Sequence, residues 1–204
     1  MKQKAIFMTM LALILFTACD KESTENNKRE GLVWDVAPIE FCIFITDSEG
    51  HDLLDPASQT TLAKGVTVGY KGQVYPVQTE RELYGQAYGS AVSRAYMPVF
   101  EGLVLRQVWN GNTSAYENYM LVFGEFSGEE SIDKREITLT IPDGHQVSLA
   151  YRNTFHWNSD GSPQRNCQFF LDGQELWGCT GRSGIYHFQY SASQGLQYVQ
   201  TEME

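Results

Sequence analysis

From Val36 to the C-terminus, short apolar runs alternate with Gly, Asn, Asp and Pro, and nowhere is an apolar spacing of 3.6 residues sustained. A chain punctuated this way cannot build a helical bundle, whose faces need unbroken helical periodicity over many residues. It reads instead as a succession of short strands and tight turns. Ile39-Glu40-Phe41-Cys42-Ile43-Phe44-Ile45 is rich in β-branched and aromatic residues and predicts a strand buried on much of both faces. Lys71-Gly72 between 66–70 and 73–78, and Asp172-Gly173 between 168–171 and 175–177, are hairpin turns. Leu103 to Trp109 is a strand stopped by Asn110-Gly111-Asn112, and Tyr119 to Phe126 follows it. Ile137, Leu139 and Ile141 alternate with threonines, Pro142-Asp143-Gly144 turns the chain, and 146–151 returns. Ile185 to Tyr190 is the last strand in this reading.

About eight or nine short strands with regular turns predict an all-β fold, an antiparallel immunoglobulin-like β-sandwich formed by a single domain over 36–204. A closed barrel is the alternative architecture. One short helix is expected over 56–64, with Asp55 as its N-cap, Pro56 at its first position and Gly65 at its end. Between Glu80 and Met97 the pattern loosens into a long connection, the kind of segment that often carries function.

The first residues state an address. Lys2 and Lys4 precede an almost wholly apolar run, Ala5 to Leu15, which ends in Phe16-Thr17-Ala18-Cys19. Charged start, apolar run and small residues make a secretory signal, and the run is too short to span a bilayer. The cysteine after the small residues resembles a bacterial lipobox, with Phe16 where leucine is usual. The resemblance implies cleavage of a signal peptide over 1–18 and a lipid on Cys19. Residues 20–31 contain no large apolar side chain, so 19–35 reads as a flexible tether. The acidic Asp20 and Glu22 also resemble the sorting signal of surface-exported lipoproteins.

A wider resemblance rests on Pro38-Ile39-Glu40-Phe41, Asp52-Leu53-Leu54-Asp55-Pro56, Phe123-Gly124-Glu125-Phe126, Pro142-Asp143-Gly144 and Leu171-Asp172-Gly173. Together these stretches are similar to small β-rich envelope lipoproteins of Gram-negative gut anaerobes of the Bacteroidales type. That similarity implies a lipid-anchored protein of the outer membrane, surface-exposed or facing the periplasm. It carries over no catalytic residue and no cofactor.

Charge and chemistry narrow the function further. The formal net charge of −10, with no basic cluster, opposes nucleic-acid phosphates. No nucleophile elbow, zinc-protease helix or phosphate-binding glycine loop is present, and His51, His145, His156 and His187 are scattered. Asp47, Glu49, Asp52 and Asp55 put four carboxylates close in sequence, which could seed a calcium site, but the spacing is not that of an EF-hand loop and Asp55 is claimed by the helix cap. Cys167 and Cys179 are symmetric about Gly173. In that register Phe169 faces Trp177 and the two cysteines can bridge, which would contribute about 3 kcal/mol. Three buried thiols, with Cys42 in the core, are the plainer reading.

The aromatic residues are the remaining lead. Phe123, Tyr151 and Phe188 belong to strand alternation and suit a core. Tyr84, Tyr88 and Tyr96 lie instead in the glycine-containing connection, and Trp109 and Tyr116 flank the Asn110-Gly111-Asn112 turn. Rings at loop tips offer a flat apolar face and a polar edge to a glycan or an envelope-protein partner; packing onto the sheet is the alternative. The expected function is a non-catalytic, lipid-anchored binding or interaction module. A carbohydrate-capture accessory and a glycoside hydrolase-like enzyme are the rival readings.

Overall fold

The computed structural model describes residues 36–79, 82, 101–176 and 183–199. The signal peptide, Cys19 and the tether therefore lie outside the described residues. The strands are β1 (Ile39–Thr46), β2 (Thr67–Tyr70), β3 (Gln73–Thr79), β4 (Leu103–Asn110), β5 (Ala115–Phe126), β6 (Ile132–Thr140), β7 (Gln146–Trp157), β8 (Pro163–Leu171), β9 (Gln174–Leu176), β10 (Ser183–Ser191) and β11 (Gly195–Tyr198). They form one curled 11-stranded sheet in the order β11-β10-β1-β5-β4-β3-β2-β6-β7-β8-β9.

The all-β expectation holds, but the strands form one continuous mixed sheet, not a purely antiparallel one. β1 runs parallel to β10, and β3 runs parallel to β4. Tight turns dictate antiparallel neighbours, whereas parallel neighbours need a long connection or strands remote in sequence. Turn signals report only the first kind. The connection from β3 to β4 opens with reciprocal bonds: the Glu82 amide donates to Thr79 Oγ1, and the Thr79 amide to Glu82 Oε2. This is a capping box that the sequence reading missed.

The predicted hairpins form where their turn residues allow. Lys71 and Gly72 have φ of 49° and 76°, and Asp172 and Gly173 have φ of 47° and 79°. Two successive positive φ angles match the twist of the flanking strands. The β8–β9 ladder sets Phe169 opposite Leu176, one residue away from the expected pairing with Trp177. A two-residue loop makes Leu171 and Gln174 partners, which fixes that offset. Cys179 lies outside the described residues, and with it the expected bridge to Cys167.

The helix expected over 56–64 does not form; the segment is a run of turns. Asp55 Oδ1 does accept the Ala57 amide, as a cap would. Beyond it, Ser58 Oγ accepts the Thr60 amide, and Thr61 Oγ1 accepts the Ala63 amide. Such side-chain bonds compete with the helical ladder, and so short a segment does not recover the cost of nucleation.

The curl places strands distant in order against one another. Phe41 of β1 contacts Phe126 of β5, Tyr151 of β7 and Tyr186 of β10, with ring centroids 5.7–6.2 Å apart. Gly184 of β10 lies under Phe169 of β8, where a Cβ would come within 2.4 Å of the ring. Tyr186 donates its hydroxyl to the carbonyls of Ala150 and Phe170. Ile43, Ile45, Leu103, Leu121, Phe123 and Phe188 complete the apolar interior. Arg165 Nη1 donates to the Ala37 carbonyl at 2.7 Å, tying the approach to β1 onto β8.

Candidate functional site

The hairpin of β4 and β5 ends in a turn held by one carboxylate. Asn110 Nδ2 donates to Glu117 Oε2 at 2.8 Å, and Thr113 Oγ1 donates to Glu117 Oε1 at 2.6 Å. Asn110 Oδ1 also accepts the Asn112 amide. The hydrogen bonds from Thr113 and Asn110 hold the Glu117 carboxyl below its ordinary value. The register then makes Trp109 and Tyr116 direct partners, after a shift between Gln107 and Trp109. Their rings meet edge to face at 5.0 Å and 72°. Trp109 is 53% exposed and Tyr116 62% exposed, so the pair stands in solvent rather than in the core.

Trp109 borders a cleft of about 400 Å³. Phe44 and His187 form part of its wall, and their rings stack at 4.7 Å with 10° between planes. Phe44 alternates away from Ile43 and Ile45, so it leaves the core for the other face of β1. The parallel pairing of β1 with β10 makes His187 its direct partner. Burial pushes the His187 imidazole below its ordinary value, which keeps it neutral at pH 7. Thr46, Val108, Asn118 and Tyr119 line the remainder, with the carboxylates of Asp52 and Glu117. Asp52 accepts the Leu54 amide at 2.8 Å and the Tyr119 amide at 2.6 Å. It thereby joins the loop after β1 to the middle of β5. No lysine or arginine is among the described residues that line the cleft.

The structure thus brings together Trp109 and Tyr116 of the expected binding residues. Tyr84, Tyr88 and Tyr96 lie outside the described residues. Phe44, His187 and Tyr119 were missed as partners of Trp109. Phe44 sits inside a run that reads as core, and His187 carries no motif; only the β1–β10 and β1–β5 pairings place them beside the hairpin tip.

The other candidates are engaged structurally. Asp47 accepts bonds from the Glu49 and His51 amides and from His51 Nδ1, while Asp55 caps its turn. Among the described residues no three His, Cys, Asp or Glu side chains converge as metal ligands. Asp143 accepts the Tyr190 hydroxyl and pairs with His145, joining the β6–β7 turn to β10. Cys42 and Cys167 are buried, and burial pushes the Cys167 thiol up to about 11, so it is not a reactive thiolate at neutral pH. No family model, no curated protein sequence and no solved structure matches this chain.

Proposed function

We propose that this chain is a lipid-anchored binding module of the cell envelope, held to the outer membrane through Cys19 and presenting the Trp109–Tyr116 cleft to a ligand. The observation that carries the reading is the exposed Trp109–Tyr116 edge-to-face pair, whose Trp109 lines a cleft together with the stacked Phe44 and His187. An aromatic pair left in solvent contributes little to folding, and large exposed rings with a polar edge are the usual anchors of recognition surfaces. The cleft falls within the range of about 300–1,000 Å³ typical of small-molecule sites. Both cleft carboxylates already hold the protein's own amide or hydroxyl groups, which favours binding over acid–base chemistry. We read the curled sheet as a variant of the immunoglobulin-like sandwich, supported by the packing of Phe41 of β1 against Tyr151 of β7 and by the Tyr186 hydroxyl of β10 bonding the Ala150 and Phe170 carbonyls.

Two measurements test this reading. Fractionation of cells expressing Cys19→Ala should find the protein released from membranes or unprocessed; a normally processed variant still retained by the membrane would contradict the anchor. Thermal unfolding of Trp109→Ala and Tyr116→Ala should leave the melting temperature within a few degrees of the parent. A loss on the scale of a core aromatic truncation, about 3–5 kcal/mol, would make the rings structural and remove the site.

A further inference from the structure

The chemistry of the cleft deepens the reading above, on which this step rests. We infer that the Trp109 cleft takes a neutral saccharide, with the sugar ring stacked on Trp109 and its hydroxyls directed to the polar side chains beneath. A pyranose ring is amphipathic: its axial C–H groups make an apolar face, and its rim is a belt of hydroxyls. The cleft presents the complement. Trp109 supplies a half-exposed indole, and Tyr116, packed edge-on at 5.0 Å, limits its rotation before any ligand arrives. Such pre-ordering lowers the entropic cost of binding. Thr46, Asn118 and His187 add a hydroxyl, an amide and an imidazole, each able both to donate and to accept a hydrogen bond.

Charge selects among ligands of that shape. Among the described residues the lining holds Asp52 and Glu117 and no lysine or arginine, in a chain of net charge −10. A phosphate, sulfate or uronate would meet those carboxylates with no cation among the described lining residues to offset them. An organic cation would find favourable charge. However, the Asp52 and Glu117 oxygens already accept bonds from Leu54, Tyr119, Asn110 and Thr113. A neutral polyol needs neither a counter-ion nor the release of those bonds. The volume of about 400 Å³ suits a short saccharide rather than an extended polymer segment enclosed on all sides.

The test uses the full-length protein in a detergent without a sugar headgroup. Titrations follow tryptophan fluorescence and calorimetry. The probes are neutral gluco-, manno-, galacto- and xylo-oligosaccharides, their uronate and sulfated counterparts, and benzyltrimethylammonium as an organic cation. The expected result is binding of at least one neutral oligosaccharide, insensitive to salt and weakened about tenfold or more by Trp109→Ala. Trp109→Phe should weaken it less, and both variants should keep the parental melting temperature. Three results would overturn the proposal: neutral sugars not held, neutral sugars held equally by Trp109→Ala, or only anionic sugars held in a salt-dependent way. Capture of the cation alone through Trp109 would refute the sugar class while leaving the cleft a binding site. Collapse of the melting temperature in Trp109→Ala would remove the cleft and the sugar together.

Discussion

At the scale of single residues, the interior contains one unusual hydroxyl. Tyr151 is fully buried, yet its hydroxyl has no hydrogen-bond partner; nor does Asn153 Oδ1, although Asn153 Nδ2 bonds the Gly128 and Glu130 carbonyls. The guanidinium of Arg135 lies over the Phe126 and Tyr151 rings without bonding that hydroxyl. An orphaned buried hydroxyl costs about 1–3 kcal/mol. Tyr151→Phe should therefore leave stability unchanged or raise it by about that amount in urea unfolding; a clear loss would mean that a buried water satisfies the hydroxyl. Phe41→Ala, which empties the centre of the aromatic cluster, should cost about 3–5 kcal/mol by the same measurement. His187 gives a pH signature. Its folded pKa lies below the unfolded value of about 6.5, so in the window just beneath that value the unfolded chain binds more protons. Stability contributed by neutral His187 is present above pH 6.5 and declines as pH falls. His51 is raised by its bond to Asp47 and acts with the opposite sign. The difference between the parent and His187→Phe isolates the first effect. That variant should show a flatter stability profile between about pH 5 and 7, and an unchanged slope would refute the assignment.

At the scale of elements, the turns do the positioning. β11 begins at Gly195, whose φ of 68° is one that side chains rarely adopt. A Cβ there would also come within 2.5 Å of the His145 ring. Gly195→Ala should thus destabilise by about 1–3 kcal/mol, through strain and through displacement of the His145–Asp143–Tyr190 contact. Unchanged thermal stability would show that the β10–β11 hairpin yields at no cost. The β4–β5 tip depends on Glu117 in the same way. Glu117→Ala removes the acceptor of both Asn110 and Thr113, and should loosen the turn that sets Trp109 against Tyr116. Amide hydrogen exchange should speed up over 109–117 while the β1–β5 ladder stays protected. Loss of protection in both would mean that the tip and the core open as one unit.

The whole molecule is closed by its last long strand. β10 inserts beside β1, so the Gln189 side chain reaches the Asp47 carbonyl across 142 residues of sequence. Tyr186 and Phe188 enter the core from that strand, and His187 completes the cleft from its opposite face. Truncation before Ser183 should therefore abolish cooperative thermal unfolding, rather than merely shave an edge from the sheet. A truncated chain with a sharp transition near the parental temperature would refute this. Pairings of such sequence separation also predict slow folding, because the closure entropy of the chain precedes the contacts that offset it.

Legibility in the sequence follows the range of the forces involved. Lys71-Gly72 and Asp172-Gly173 were recognisable because positive φ is a local steric property of the residues that adopt it. Strands β1 to β10 were found, with shifted ends, because alternation of apolar side chains is the condition for burying one face of each. β11 was missed because four residues, Gly-Leu-Gln-Tyr, carry too little pattern. The helix over 56–64 was misread because a cap alone does not show whether the next residues bond to the ladder or to their own side chains. Trp109 and Tyr116 could be singled out from their place beside a turn. Phe44 and His187 could not, because which strand lies next to β1 is a competition among all the strands for one hydrogen-bonding edge. Only the folded sheet decides that competition, and with it the two parallel pairs, the register at the hairpin tip and the existence of a cleft.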